Sequence, residues 1–293
     1  MKRNKRKNGK ITNIHNSHLV NFIFIFVAVV IFAFCLYGIK NVNALNETQD
    51  SGDISSPANE IVSPEQDKTD EQSTEAEISQ NTYVTLTFAR ANVGFLNVRE
   101  NPSTTANVLG FMDAGDMCLV ADTIYGWYKI YYRGGFAYIS SAFSEPVTMD
   151  FENETVANVV IAGAKMIGVE YVYGATRMFD SYGNPISGFS DDAFDCSSFT
   201  QYAYYMGAGI KIDVTTRTQV YDGVKSDDLM PGDLMFFTNS TRYYYEGIER
   251  IGHVGIYLGD NYILHTSSDF AVIEQISQTR WSYFIQNNRL IFD

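Results

Sequence analysis

The chain has 293 residues, 45% of them apolar, which is enough for about two packed domains. Its formal net charge of −13 is unevenly spread: residues 1–40 hold seven Lys and Arg and no acid, and the rest holds 14 basic and 34 acidic residues, a balance of −20. So acidic a body excludes electrostatic attraction to nucleic acid, and three cysteines in unrelated settings (Cys35, Cys118 and Cys196) exclude a disulfide framework.

Residues 1–18 form a basic tail containing Lys2, Arg3, Lys5, Arg6, Lys7 and Lys10. They precede an apolar run at 19–39 in which Asn21 is the only strongly polar residue. About 20 apolar residues span a bilayer, and basic residues ahead of them stay in the cytoplasm. Residues 19–39 are therefore expected to be a transmembrane helix that sends the C-terminal body outside. Val42-Asn43-Ala44 also fits the small-residue pattern of a cleavable signal, so secretion after Ala44 is the alternative. Residues 40–81 are acidic, rich in Ser, Thr, Gln and Asn, and free of aromatic residues. Such a segment buries too little apolar surface to offset the entropy of ordering, and reads as a linker.

Residues 82–146 show short alternating segments separated by turns, the pattern of a small all-β barrel. Val84, Leu86 and Phe88 alternate, as do Leu96 with Val98 and Met117 with Leu119; Arg133-Gly134-Gly135 joins two strands as a tight hairpin. Leu96-Asn97-Val98-Arg99-Glu100-Asn101-Pro102, followed by Ala114-Gly115-Asp116 and Gly126-Trp127-Tyr128, resembles a bacterial SH3-like domain. The resemblance implies a module that binds the cell wall.

Residues 147–293 mix helix and strand, an α+β pattern. Asn153 is placed to cap a helix over 154–167, with Gly168 as its stop. A second helix is predicted from Cys196 to Met206, with Asp195 at its N-cap and Phe199, Tyr202, Ala203 and Met206 at helical spacing. Cys196 at a helix N-terminus is a candidate nucleophile, since the dipole favours a thiolate and the first amides can hold an oxyanion. A buried apolar filler is the bland reading of the same cysteine.

His253 and His265 lie in two apolar strands flanking Gly259-Asp260-Asn261, a hairpin signal, each six residues from Gly259. Antiparallel pairing about that turn brings the imidazoles together, whereas a one-residue slip puts one on the wrong face. With Cys196 they supply the parts of a nucleophile, base and orienting-group triad. One thiolate and two imidazoles are also a zinc donor set, though the short paired spacing of structural zinc sites is lacking.

Taken in order, Tyr171-Val172-Tyr173-Gly174, Asp195-Cys196-Ser197, Arg217, Gln219, Pro231-Gly232-Asp233-Leu234-Met235-Phe236-Phe237, His253-Val254-Gly255-Ile256-Tyr257-Leu258-Gly259 and His265 resemble the NlpC family of papain-like cell-wall peptidases. The resemblance implies an α+β papain-like fold over 147–293, with the Cys196 helix packed on an antiparallel sheet. It also implies Cys196 as nucleophile, His253 as base, His265 as orienting residue, and Tyr171 and Asp195 as substrate-binding residues. The backbone amides of Cys196 and Ser197 would form the oxyanion hole. The implied activity is a peptidoglycan endopeptidase cutting stem peptides after D-glutamate, outside the cytoplasm, with no metal or organic cofactor. The alternatives are an inactive wall-binding scaffold, or an amidase or acyltransferase on the same triad. Two departures from the family pattern stand out: Ser198 replaces the usual glycine, and the loops at 176–193 and 239–250 are long.

Overall fold

A computed structural model describes residues 83–267 and 269–292. The expected basic tail (1–18), apolar span (19–39), cleavage point after Ala44 and linker (40–81) lie outside the described residues. Among the described residues no helix is long and apolar enough to cross a membrane.

Seven strands come first: β1 (Val84–Ala91), β2 (Leu96–Arg99), β3 (Val108–Met112), β4 (Met117–Ile124), β5 (Trp127–Tyr132), β6 (Gly135–Ser140) and β7 (Ser144–Phe151). Every pairing among them is antiparallel. The alternation in the sequence becomes burial, with Phe88, Val98, Met117, Ile130, Ala137 and Ile139 fully enclosed. Arg133 and Gly134 supply the two positive φ angles, 52° and 72°, that a two-residue primed turn needs. The last strand runs past the boundary expected at residue 146. β7 pairs with β1 from Ala91↔Ser144 to Val84↔Phe151, because Val147, Met149 and Phe151 continue the inward alternation. Pro146 is tolerated there because β7 pairs only with β1 and is an edge.

The remaining elements are α1 (Glu154–Ala164), β8 (Glu170–Tyr171), β9 (Ala193–Phe194), α2 (Cys196–Ala208), α3 (Thr216–Gln219), β10 (Val224–Ser226), β11 (Leu234–Phe237), β12 (His253–Gly259), β13 (Tyr262–Thr266), β14 (Ala271–Gln275), α4 (Gln278–Ser282) and β15 (Phe284–Arg289). An antiparallel sheet in the order β10-β15-β11-β12-β13-β14 carries α1 and α2 on one face, the α+β arrangement expected. β11 reads Leu-Met-Phe-Phe and is buried at all four positions, as befits a strand covered on both faces.

The two parts share hydrogen bonds. Met117 of β4 bridges Ile273 of β14, which joins the strands of the first part to the sheet. The amides of Arg133 and Gly134 bond the carbonyls of Ile167 and Lys165, and Arg133 Nε donates to Gly168 O. That capture explains why α1 ends at Ala164 rather than at the expected residue 167: carbonyls beyond its last turn are held by the neighbouring hairpin.

α1 and α2 cross at Gly207, where an added Cβ would stand 2.4 Å from Val159 Cα and 2.5 Å from Asn158 O. In an open helix Gly→Ala stabilises by about 1 kcal/mol. Here the obstructing atoms are backbone, so Gly207→Ala is expected to destabilise by about 1–3 kcal/mol. Urea unfolding of the full chain measures this, and a gain in stability would contradict the close approach.

Candidate active site

Cys196 is the first residue of α2, and the turn that presents it is held from three sides. Asp195 is the N-cap, in extended conformation. Its Oδ1 accepts from the Ser198 amide at 2.9 Å and from Ser197 Oγ at 3.1 Å. Ser198 Oγ accepts in return from the Asp195 amide at 2.9 Å, completing a capping box. The serine that departs from the family pattern thus closes the cap and is itself fully buried. Asp195 Oδ2 faces the other way and accepts from Arg177 Nη2 at 2.6 Å and from the Gly174 amide at 3.1 Å. From below, buried Gln219 Nε2 donates to the carbonyls of Ser197 (2.9 Å) and Asp213 (2.8 Å). Loop 176–193, the turn at Gly174 and α3 all converge on one helical turn. Arg217, two residues before Gln219, instead turns outward to Glu249 at 3.6 Å.

Cys196 is only 9% exposed. Burial pushes its thiol up to about 12, and the Asp195 charge adds to the rise; the backbone amides of Val254 and Ser197 and the charge of Arg177 pull the other way and lose. The expectation of a thiolate at a helix N-terminus is reversed here. A helix end contributes about 0.3–2 kcal/mol, whereas full burial shifts a thiol by several units of about 1.4 kcal/mol each.

The contact with the Val254 amide sets the thiol beside the residue that follows His253. His253 Nε2 lies 2.8 Å from His265 Nδ1, and His265 Nε2 lies 3.0 Å from Glu274 Oε1. The same Oε1 accepts from Arg280 Nη2 at 2.7 Å. The row crosses three strands obliquely. β12 and β13 pair through Ile256↔Leu264 and Tyr257↔Ile263, and this register continued places His265 opposite Gly255, two residues from His253. On the other side His265 pairs with Val272, two residues before Glu274. Each partner is one strand over and two residues along, a diagonal within reach of long side chains. The hairpin pivots on Asp260-Asn261, both at positive φ, and the register shifts at Leu258, so the pairing is two residues away from the one expected about Gly259. An even shift preserves the face, and the imidazoles still meet. Gly255 makes room, since a Cβ there would stand 2.8 Å from His265 Cβ.

Burial, then the neighbouring His265 and Arg280 charges, hold His253 well below the ordinary imidazole value. Burial also lowers His265, against the opposing pull of Glu274. The resting pair is therefore neutral. A cavity of about 450 Å3 opens over it, lined by both histidines, Tyr171, Thr238, Thr266 and Arg280. Burial raises the Tyr171 phenol to about 12, and the nearby Cys196 and Asp195 add to the rise. Thr238 and Thr266 bring buried hydroxyls with no hydrogen-bond partner among the described residues. Among the described residues no group of three or more His, Cys, Asp or Glu is arranged to hold a metal ion. Cys196, His253, His265, Tyr171 and Asp195 are thus neighbours, while Arg177, Glu274 and Arg280 are additions that the sequence reading missed. The one available signal was Glu274 itself, a charge in the otherwise apolar run Ala271-Val272-Ile273.

Residues 168–289 match the sequence model of the NlpC/P60 family, and residues 94–145 that of the bacterial SH3 domain. The chain is similar to the gamma-D-glutamyl-L-lysine dipeptidyl-peptidase of Bacillus subtilis (strain 168), 30% identical over 160 residues, which are 54% of this chain and 47% of that one. It is also similar to the gamma-DL-glutamyl hydrolase of the same strain, 29% identical over 154 residues, 52% of this chain and 32% of that one. The chain therefore matches less than half the length of each of these curated relatives. A crystal structure of an NlpC/P60 family protein from Bacillus cereus ATCC 10987 aligns at 20% identity and a TM-score of 0.38, covering 71% of this chain and 64% of that chain.

Removing one partner of a buried ion pair costs about 3–5 kcal/mol. The Arg177–Asp195 pair has side chains 19% and 5% exposed, so Arg177→Met is expected to fall at the lower end, about 3 kcal/mol. Chemical denaturation reads the loss; an unchanged midpoint would show that Asp195 is held by its amide and hydroxyl donors without Arg177.

Proposed function

From the premise that residues 168–289 belong to the NlpC/P60 family and residues 94–145 to the bacterial SH3 domains, we propose that the chain is a cell-wall hydrolase cutting a peptide bond in peptidoglycan stem peptides. The observation that carries this reading is the hydrogen-bonded imidazole pair whose first member, His253, precedes the Val254 amide that meets the Cys196 thiol at a helix start. Cys196 passes its proton to His253 as its sulfur attacks the carbonyl carbon, so charge appears only as the bond forms. The cap uses the amides of Ser198 and Phe199, which leaves those of Cys196 and Ser197 for the oxyanion. His253 then protonates the departing amine; a water, giving a proton to His253, attacks the acyl carbon, and as the C–S bond breaks His253 passes that proton to Cys196 Sγ, which restores the neutral pair. His265 orients His253. No cofactor enters these steps.

The bond after D-glutamate is the proposed target, supported by the glutamyl bonds in the names of both curated relatives. Tyr171, facing the cavity beside the histidines, and Asp195, in the carboxylate it shares with Arg177, are the proposed substrate-binding residues. The SH3 domain is proposed to hold wall material and raise the local concentration of stems. The basic start and apolar run at 19–39 support an extracytoplasmic, membrane-held enzyme.

Mass spectrometry of peptidoglycan fragments incubated with the full chain tests this. Cys196→Ala and His253→Ala are each expected to lower cleavage by about 10^3-fold or more, and His265→Ala by about 10–100-fold. A folded Cys196→Ala variant that cleaves at the parental rate would refute the nucleophile, and a parent that binds wall without cutting it is a scaffold.

The depressed His253 also fixes a pH dependence. A base with a lowered pKa stays unprotonated in more acidic solution, so the acid limb of kcat/KM is expected below the ordinary imidazole value of 6.5. A limb above 6.5 would contradict the buried, neutral pair.

A further inference from the structure

Resting on the reaction above, we propose that Glu274 is a positioning residue that decides where the proton sits on each imidazole of the His253–His265 pair. A carboxylate only accepts, so its 3.0 Å contact places a proton on His265 Nε2. Neutral His265 then has a lone pair on Nδ1, and the 2.8 Å contact between the rings is made by a proton on His253 Nε2. One lone pair of the two rings remains unengaged, that of His253 Nδ1, the base that takes the thiol proton. Without Glu274 the opposite order satisfies the same ring contact equally well. That order places a proton on His253 Nδ1 and leaves it unable to receive one from Cys196. Glu274 removes the degeneracy.

The ionisation that this requires is built in. Burial of Glu274 opposes it, but the hydrogen bond from His265 and the hydrogen bond and charge of Arg280 outweigh burial and hold the carboxyl below its usual range. Arg280 reaches Oε1 at 2.7 Å with its guanidinium over the Phe237 ring, 5.9 Å from the centroid. The titratable and charged groups round this row come from seven places: Tyr171 on β8, Asp195 and Cys196 at the start of α2, Arg177 from the loop before it, Glu274 on β14, Arg280 on α4, Tyr283 just after α4, and Asp116, near Glu274 and just before β4. Burial, with Glu274 among the contributing charges, raises the Asp116 carboxyl to about 7, whereas Glu274 is held below its usual range and is ionised at pH 7.5. When His253 becomes an imidazolium during attack, the Glu274 charge supports it through His265, which keeps its own proton throughout.

Two variants separate hydrogen bond from charge. Glu274→Gln can keep an Oε1 acceptor towards both His265 and Arg280, so it should preserve the proton order and lose the charge. Glu274→Met, of similar length, removes the acceptor. The full chain with 15N-labelled histidine, its His253 and His265 signals assigned from His253→Gln and His265→Gln, reports the protonated nitrogen of each ring at pH 7.5. In the parent and in Glu274→Gln both rings should be protonated on Nε2; in Glu274→Met the His253 signal should move towards the Nδ1-protonated form. On the peptide L-alanyl-γ-D-glutamyl-L-lysine, kcat should fall about 10-fold for Glu274→Gln and about 100-fold for Glu274→Met, with KM within about twofold of the parent. A parent whose His253 is protonated on Nδ1, or a folded Glu274→Met with the parental ring pattern, overturns the proposal. If the parent cleaves no peptide, the hydrolase reading fails, and the ring pattern alone still decides the role of Glu274.

Discussion

The Asp195 carboxylate is the point on which the geometry of the site depends. One oxygen caps the helix that begins with Cys196, and the other ties that helix to Arg177 and to the turn at Gly174. Because the two oxygens face different elements, the position of the thiol, the long loop at 176–193 and the turn following Tyr171 are settled together. Ser198 and Gln219 close the remaining sides, so the first turn of α2 has little freedom to move. In the proposed reaction, a nucleophile held this way has lost its orientational entropy before substrate arrives.

Burial is the second constraint, and it acts on the thiol and on both imidazoles. It raises the thiol and lowers both imidazoles, so the resting state is neutral rather than a separated thiolate and imidazolium. A low-dielectric, neutral site strengthens any hydrogen bond aimed at charge that develops later. The oblique row His253, His265, Glu274 and Arg280 ends in an ion pair whose two charges cancel at rest. It is oriented so that its negative member is the nearer one to the histidines.

Much of this was legible in the sequence where the determinants are local. The Asp195 cap, the helix from Cys196 and the Arg133-Gly134 turn depend on residues within four positions of one another, and patterns of that range can be read directly. The histidine pair was legible for a subtler reason. The hairpin turns on Asp260-Asn261 and not on Gly259, but the shift at Leu258 makes the displacement an even number, which strand periodicity forgives. Arg177, Glu274 and Arg280 were not legible, because each meets its partner through tertiary packing that no spacing rule contains. The reach of β7 to Phe151 and the early end of α1 were not legible for the same cause: β1 and the Arg133 hairpin supply hydrogen bonds from elsewhere. The thiol was misjudged in direction, since a sequence displays a helix N-terminus and conceals how deeply it is buried.

The direct test of Cys196 as nucleophile is to catch the acyl group on it. The full chain, mixed with stem peptide and quenched in acid within one turnover, can be digested and its cysteine-containing peptides weighed. An acyl adduct on the Cys196 peptide, absent from those of Cys35 and Cys118 and absent in His253→Ala, is the predicted result. Steady cleavage of the peptide with no adduct on Cys196 at any quench time, and an unchanged rate in Cys196→Ala, would contradict it.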